Sequence, residues 1–234
     1  MTKTRNIVLL VFGLALGIGC FAHCQASPSA GDSVVSEKAP ASRAADKPLL
    51  GRTILIDPGH GGTDPGALRS GIEEKNITLA VSLRLRDRLT ALGAAVHLTR
   101  DVDEPVALTA RLQDSNTMCP DLFLSIHVNA VGDTHITGIE TYYYDGRGQL
   151  LARMVLDTLS QELHQTAKWS HARDLKVLVG NRAPATLAEI GYLTNPASRA
   201  QLNAPAYQEK VASALSDSLV DYFAEPGSPH GCQV

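Results

Sequence analysis

The sequence predicts an α/β fold: a single domain with a largely parallel sheet covered by helices on both faces. Short apolar, β-branched runs alternate with longer segments of helical spacing, and parallel strands need such crossovers. The chain has 234 residues, 44% of them hydrophobic, enough for one domain with a sizeable core. Unusual polar residues fall at the ends of the strand-like runs, where open α/β sheets bind ligands.

The chain opens with Lys3 and Arg5, an apolar run from Ile7 to Ile18, and then small residues. This is the pattern of a secretory signal peptide, and the run is shorter than the roughly 20 residues of a membrane span. Cleavage is expected after Ala26, in preference to lipidation at Cys20, because Gly17 stands where a lipoprotein box has Leu. The protein is therefore expected to be exported to the periplasm or cell envelope. Residues 27–48 are rich in Ala, Ser and Pro with no aromatic residue, and read as a disordered linker. The folded domain is expected over 49–225, with a short tail at 226–234.

Within the domain, Thr53–Asp57 is the first strand. Lys75–Leu92 reads as a helix, from Ile77, Val81, Leu85 and Leu89, and Gly93 ends it. Ala95–Leu98 is a strand, Val106–Met118 a helix, and Leu122–Val128 a strand introduced by Pro120. Gly138–Tyr144 is a strand and Gln149–Gln165 a helix. Leu175–Val179 and Ala185–Ile190 read as short strands, and Ala206–Phe223 as the closing helix. The formal net charge of −3 gives no basis for nucleic-acid binding. Of the cysteines, Cys119 and Cys232 remain after cleavage; they could pair, but a small buried hydrophobe is the expected role of Cys119.

The first strand runs into Asp57-Pro-Gly-His-Gly-Gly-Thr-Asp-Pro-Gly66. The glycines clear side chains from around His60, which suits an imidazole to metal binding. A phosphate-cradling loop would need GxGxxG or GxxxxGK[ST], and neither is present. His127 sits near the end of an apolar strand, where a core histidine is the ordinary alternative; two histidines at strand ends point instead to a shared metal. Two imidazoles and a carboxylate make a zinc set with an open position. Glu73 and Glu74 supply nearby carboxylates; acidic residues favour a helix's first turn, which is the expected role of Glu73, while Glu74 stays open between that role and a ligand. Glu189, among Leu187, Ala188 and Ile190, would have a raised pKa if buried, as a general base near neutral pH requires.

Five pieces occur in order: Asp57-Pro-Gly-His-Gly-Gly62, Glu74-Lys-Asn76, Leu98-Thr-Arg100, Ser125-Ile-His-Val-Asn129 and Glu189-Ile-Gly-Tyr-Leu-Thr-Asn195. Together they resemble the zinc-dependent N-acetylmuramoyl-L-alanine amidases of bacterial cell-wall remodelling. The resemblance spans about Thr53 to Phe223. It implies a mixed, mostly parallel six-stranded sheet, one Zn2+ per chain held by His60, Glu74 and His127, and catalysis by Glu189. The implied reaction is hydrolysis of the amide between N-acetylmuramic acid and L-Ala of the peptidoglycan stem peptide. Zinc would activate the water, with Glu189 as proton acceptor and donor. Asn129, Arg100 and Arg182 are candidates for supporting the site or contacting the anionic substrate. A zinc peptidase acting within the stem peptide and a non-catalytic wall-binding module are the rival readings; retention of Glu189 argues against the second. A monomer is expected. Some exported members of the family carry an inhibitory helix after the second His ligand. The corresponding Ala130–Thr137 is too short for a stable helix, so no built-in autoinhibitory helix is expected.

Overall fold

The structure is a computed structural model and describes residues 47–232. The expected signal peptide and nearly all of the expected linker lie outside the described residues. Among the described residues no helix is long and apolar enough to cross a membrane.

The chain enters the fold at Leu49, which is fully buried and whose N–H bonds the Leu92 carbonyl at 3.1 Å. Next come β1 (Thr53–Pro58), a small antiparallel hairpin of β2 (Leu68–Arg69) and β3 (Ile72–Glu73), α1 (Glu74–Ala91), β4 (Ala95–Leu98) and α2 (Leu108–Met118). They are followed by β5 (Leu122–Asn129), β6 (Ile139–Tyr143), α3 (Gly146–Glu162) and β7 (Ala167–Ala172). The chain closes with β8 (Ala185–Tyr192), α4 (Pro196–Leu202) and α5 (Pro205–Ala224). The main sheet has six strands in the order β4-β1-β5-β8-β6-β7. Neighbours are parallel except β6 and β8, which run antiparallel.

Alternation along the strands divides the core into two. Ile54, Ile56, Leu122, Leu124, Ile126, Ala188 and Ile190 face α1, α3 and α5, whose Ile77, Val81, Leu85, Leu151, Leu215 and Leu219 complete the larger cluster. Leu55, Phe123, Leu187 and Tyr142 face the other way into a smaller cluster closed by Val177 and Leu178. On this second side α2 is tied by polar contacts to β1, Arg111 to Asp57, and to the loop before β8, Ser115 to Asn181.

Two sequence expectations need correction. Leu175–Val179 is not a strand. Its amides form turn bonds, Leu178 and Val179 to the Leu175 carbonyl, and its apolar side chains cap the smaller core. The sixth strand is instead β7, Ala-Lys-Trp-Ser-His-Ala, an edge strand with no buried residue. Cys119 is exposed, not buried, and is bonded to Cys232 with a Cα–Cα distance of 5.3 Å. The bond returns the tail to the start of β5, where the Gly231 N–H also bonds the Asp121 carbonyl at 3.1 Å.

Candidate metal centre and active site

The site lies at the carboxyl ends of β1, β5 and β8. His60 follows β1 in a loop of unusual backbone, with His60 itself at φ 62°. Only neighbours that over-determine such a conformation can hold it. Two buried arginines do so by donating to carbonyls of the loop and of its flanking elements. Arg100 donates to the carbonyls of Pro58 (3.0 Å), Gly59 (2.8 Å) and Lys75 (3.0 Å). Arg111 donates to Pro58 (2.7 Å) and His60 (2.7 Å), and pairs with buried Asp57 at 2.5 Å. Asp57 also accepts from Thr99 (2.6 Å) and Ser125 (2.7 Å).

Glu74 opens α1, and its backbone N–H bonds the Ala67 carbonyl at 2.9 Å, so the β2–β3 hairpin fixes where the helix starts. The side chain is 4% exposed and turns inward. Glu74 Oε1 lies 3.2 Å from His60 Nε2 and 3.1 Å from His127 Nδ1. One ligand atom from each of His60, Glu74 and His127 falls within 4.8 Å of the others, a set that could hold a metal ion. His60 Nδ1 bonds Asp64 Oδ2 at 2.8 Å, which orients the ring and leaves Nε2 facing Glu74. Space is shaped around these groups as well. A Cβ on Gly59 would lie 2.4 Å from the His127 ring, and one on Gly66 would lie 2.6 Å from both Glu74 Oε2 and His60 Cδ2. The donor set and this cradle both fit a small divalent cation of borderline softness.

Burial alone would lower the His60 pKa, but hydrogen bonds and charge from Glu74 and Asp64 outweigh it and push it up to about 9. Burial would raise Glu74, yet its bonds to His127 and His60 hold it well below the usual carboxylate range. The cluster thus keeps a carboxylate between two imidazoles, an arrangement a cation can take over by displacing protons.

Glu189 stands opposite His127 across β5 and β8, and opposite Glu140 across β8 and β6. Its Oε2 is buried without a hydrogen-bond partner. Burial pushes its pKa up to about 7, helped by the charges of Glu74 and Glu140 and opposed by the two histidines. Glu140 is itself buried and accepts from the hydroxyls of Tyr142 and Tyr192 and from Asn129 Nδ2 at 3.1 Å. Burial and the bond to Glu140 raise both tyrosines, so they stay protonated as donors.

His60, Glu74 and His127 therefore lie together, and Glu189 stands beside His127 on the neighbouring strand. Asn129 is one step removed, bonded to Glu140. Arg100 is 2% exposed with its donors committed to the loop, so it supports the site and does not face a substrate. Arg182 does not join the site. It is exposed at the amino end of β8, away from Glu189, with its N–H on Asn116 Oδ1 at 2.8 Å. Sequence reasoning missed Arg111, Asp64, Glu140, Tyr142 and Tyr192. Only the Pro-Gly-rich backbone, whose carbonyls need donors, hinted at the arginine.

Residues 54–221 match the family model described as N-acetylmuramoyl-L-alanine amidase. The chain belongs to that family. It is 34% identical over 199 residues to the germination-specific N-acetylmuramoyl-L-alanine amidase of Bacillus subtilis, a match covering 78% of this chain and 84% of the relative. Among solved structures, an amidase of Clostridium difficile 630 superposes with a TM-score of 0.72 at 30% identity, covering 75% of this chain and 98% of that one. The amidase AmiC2 of Nostoc punctiforme gives a TM-score of 0.72 at 32% identity, covering 76% of this chain and 98% of that one. As a member of this family the chain is an amide hydrolase of peptidoglycan.

Proposed function

We propose that the protein is a zinc amidase that releases the stem peptide from N-acetylmuramic acid, with His60, Glu74 and His127 holding the ion and Glu189 as the general base and acid. The observation that carries the proposal is the convergence of three ligand atoms within 4.8 Å beside a carboxylate that has an unpartnered buried oxygen. A zinc bound there supplies Lewis-acid chemistry, polarising an amide carbonyl and acidifying water. The chain's own part is positioning and proton transfer. His60 and His127 offer Nε2 and Nδ1, each set by contacts to its neighbours. Glu189, poorly stabilised as an anion, takes a proton from the attacking water and returns one to the leaving amine of L-Ala. Such acid–base help contributes about 10²–10⁴-fold. The bond between Cys119 and Cys232 supports a site of action outside the reducing cytosol, as does the expected signal peptide ending at Ala26. We further propose that the protein acts as a monomer without an activator. The β5–β6 connection over residues 130–138 is irregular backbone with a turn at Thr134 and His135 in this structure.

Digestion of purified peptidoglycan followed by mass spectrometry tests the reaction. Intact stem peptides with a free L-Ala amine are expected; shortened peptides would identify a peptidase, and no products a binding module. Glu189→Gln is expected to lower the rate at least 100-fold while retaining one zinc per chain. His60→Ala and His127→Ala are expected to lose both zinc and activity. Zinc loss in Glu189→Gln with retention in His60→Ala would reverse the roles.

A further inference from the structure

Beside Glu189 a cleft of about 680 Å³ extends outward across β6 and β7, lined by Glu140, Tyr142, Lys168, Trp169, Arg173 and Tyr192 among others. The strand register shows its direction. His127 pairs with Glu189, Glu189 with Glu140, and Glu140 with Trp169, so the four lie in one row across four adjacent strands. Three interstrand steps of about 4.8 Å place Trp169 roughly 14 Å from the metal ligand His127.

The β6–β7 register shifts between Ile139, opposite Ala167, and Glu140, opposite Trp169. Lys168 is the extra residue. Regular alternation would send Lys168 and Trp169 to opposite faces; an irregularity of this kind re-aims a side chain. Lys168 Nζ accordingly lies 5.4 Å from the Trp169 ring centre and 5.5 Å from that of Tyr192. Arg173, just past β7, holds its guanidinium 5.3 Å from the Tyr142 ring centre. Among the described residues neither cation forms an ion pair. The one carboxyl in the cleft wall, Glu140, is occupied by Tyr142, Tyr192 and Asn129. The cleft therefore offers two cations on aromatic supports, and its one carboxyl, Glu140, forms an ion pair with neither.

We propose that Lys168 and Arg173 form a subsite for the ionised carboxylates of the stem peptide, on the leaving-amine side of the scissile bond. This rests on the amidase reading above. Of the two sides of that bond, the N-acetylated sugars are uncharged, whereas the peptide carries free carboxylates. Reach agrees: an extended peptide advances about 3.3–3.6 Å per residue, so roughly four residues span the 14 Å. The cations then meet carboxylates on the second and third residues, Trp169 forms the outer wall, and the glycan lies on the His60 side. Amidation of the second residue's free carboxylate removes the charge recognised here.

The test uses two soluble muramoyl-peptides that differ only in whether that carboxylate is free or amidated. The full zinc-loaded protein is expected to cleave the free-carboxylate form with about 10-fold higher kcat/KM, the scale of one charge-assisted hydrogen bond. In Lys168→Ala/Arg173→Ala that ratio should collapse to about 1, with the loss on the carboxylate substrate falling mainly on KM. Equal cleavage of both substrates by the wild type, or an undiminished ratio in the double variant, overturns the subsite. Trp169 is the only tryptophan of the chain and gives a second readout. In Glu189→Gln its fluorescence should respond to the carboxylate-bearing compound at concentrations where the amidated one is silent; equal responses overturn the subsite independently of turnover. If neither compound releases an L-Ala-terminated peptide, the amidase reading fails, and the fluorescence titration still decides the subsite.

Discussion

Arg111 is where stability and metal binding should come apart. The residue is 2% exposed, and its guanidinium serves the Asp57 carboxylate at 2.5 Å and the carbonyls of Pro58 and His60 at 2.7 Å each. Arg111→Met keeps the aliphatic stem and removes the charge. Asp57 then keeps only Thr99 and Ser125 as donors in a fully buried position. Breaking a buried pair by removing one partner costs about 3–5 kcal/mol. For a domain of this size that is a Tm fall of roughly 6–20 °C. Asp57→Asn/Arg111→Met removes the stranded charge too and should recover more than half of the loss. Metal affinity should not recover, because in both variants the His60 carbonyl has lost its donor and the left-handed His60 is held less firmly. Competition with a chromophoric chelator is expected to show about 10-fold weaker zinc binding in both. A single-variant loss below about 1 kcal/mol, or wild-type zinc affinity in either protein, would refute the idea that this guanidinium holds the ligand loop.

Two further outcomes follow from the same structure. In the metal-free protein the Glu189 carboxyl is raised to about 7 from its ordinary 4.5, so folding favours its protonated form. That contribution is complete below 4.5 and lost as pH rises through 7, up to about 3 kcal/mol. Urea melts with chelator at pH 5 and pH 8 should therefore show Glu189→Gln gaining stability relative to wild type at pH 8; equal differences at both pH values would contradict the burial. The bond between Cys119 and Cys232 closes a loop with a sequence separation of 113 at the amino end of the sheet, away from the His60, Glu74 and His127 cluster. Replacing both cysteines by Ser should cost about 2–4 kcal/mol in denaturant melts. Turnover per folded molecule should be unchanged, and a large loss of turnover would tie the tail to the site.

The readable parts of the site share one property: they are polar residues interrupting apolar or glycine-rich runs. His60, His127 and Glu189 stand out because their neighbours in sequence are unlike them. Arg111 does not, since Arg in Leu-Thr-Ala-Arg111 on a helix looks like a solvated residue; only the fold shows that it points at Asp57, 54 positions earlier in the chain. Glu140 is masked in the same way by an ordinary strand, Ile-Glu-Thr-Tyr-Tyr143. Periodicity reports which face a residue takes, and not which partner waits there. The misplaced strand has a related cause. Leu175, Val177 and Leu178 carry the apolar signal of a strand because they cover the smaller core, whereas β7 has one edge in solvent and needs no such signal.

The single antiparallel pairing in the sheet matters more to the site than any one of these residues. In a wholly parallel sheet, the carboxyl end of β8 would adjoin the carboxyl end of β6, and Glu140, second in its strand, would sit at the far edge of the molecule. Because β6 runs against β8, its amino end comes to Glu189, and the Glu140 carboxyl becomes the immediate neighbour of the proposed base. β7 follows β6 in parallel and so brings Trp169 to the same row. One reversal thus accounts for both the charge that helps raise Glu189 and the direction in which the cleft leaves it. It also explains why the expectation of a largely parallel sheet, read from alternating strands and helices, pointed to His60 after β1 and His127 on β5 as candidate ligands but gave no view of the cleft beyond β8.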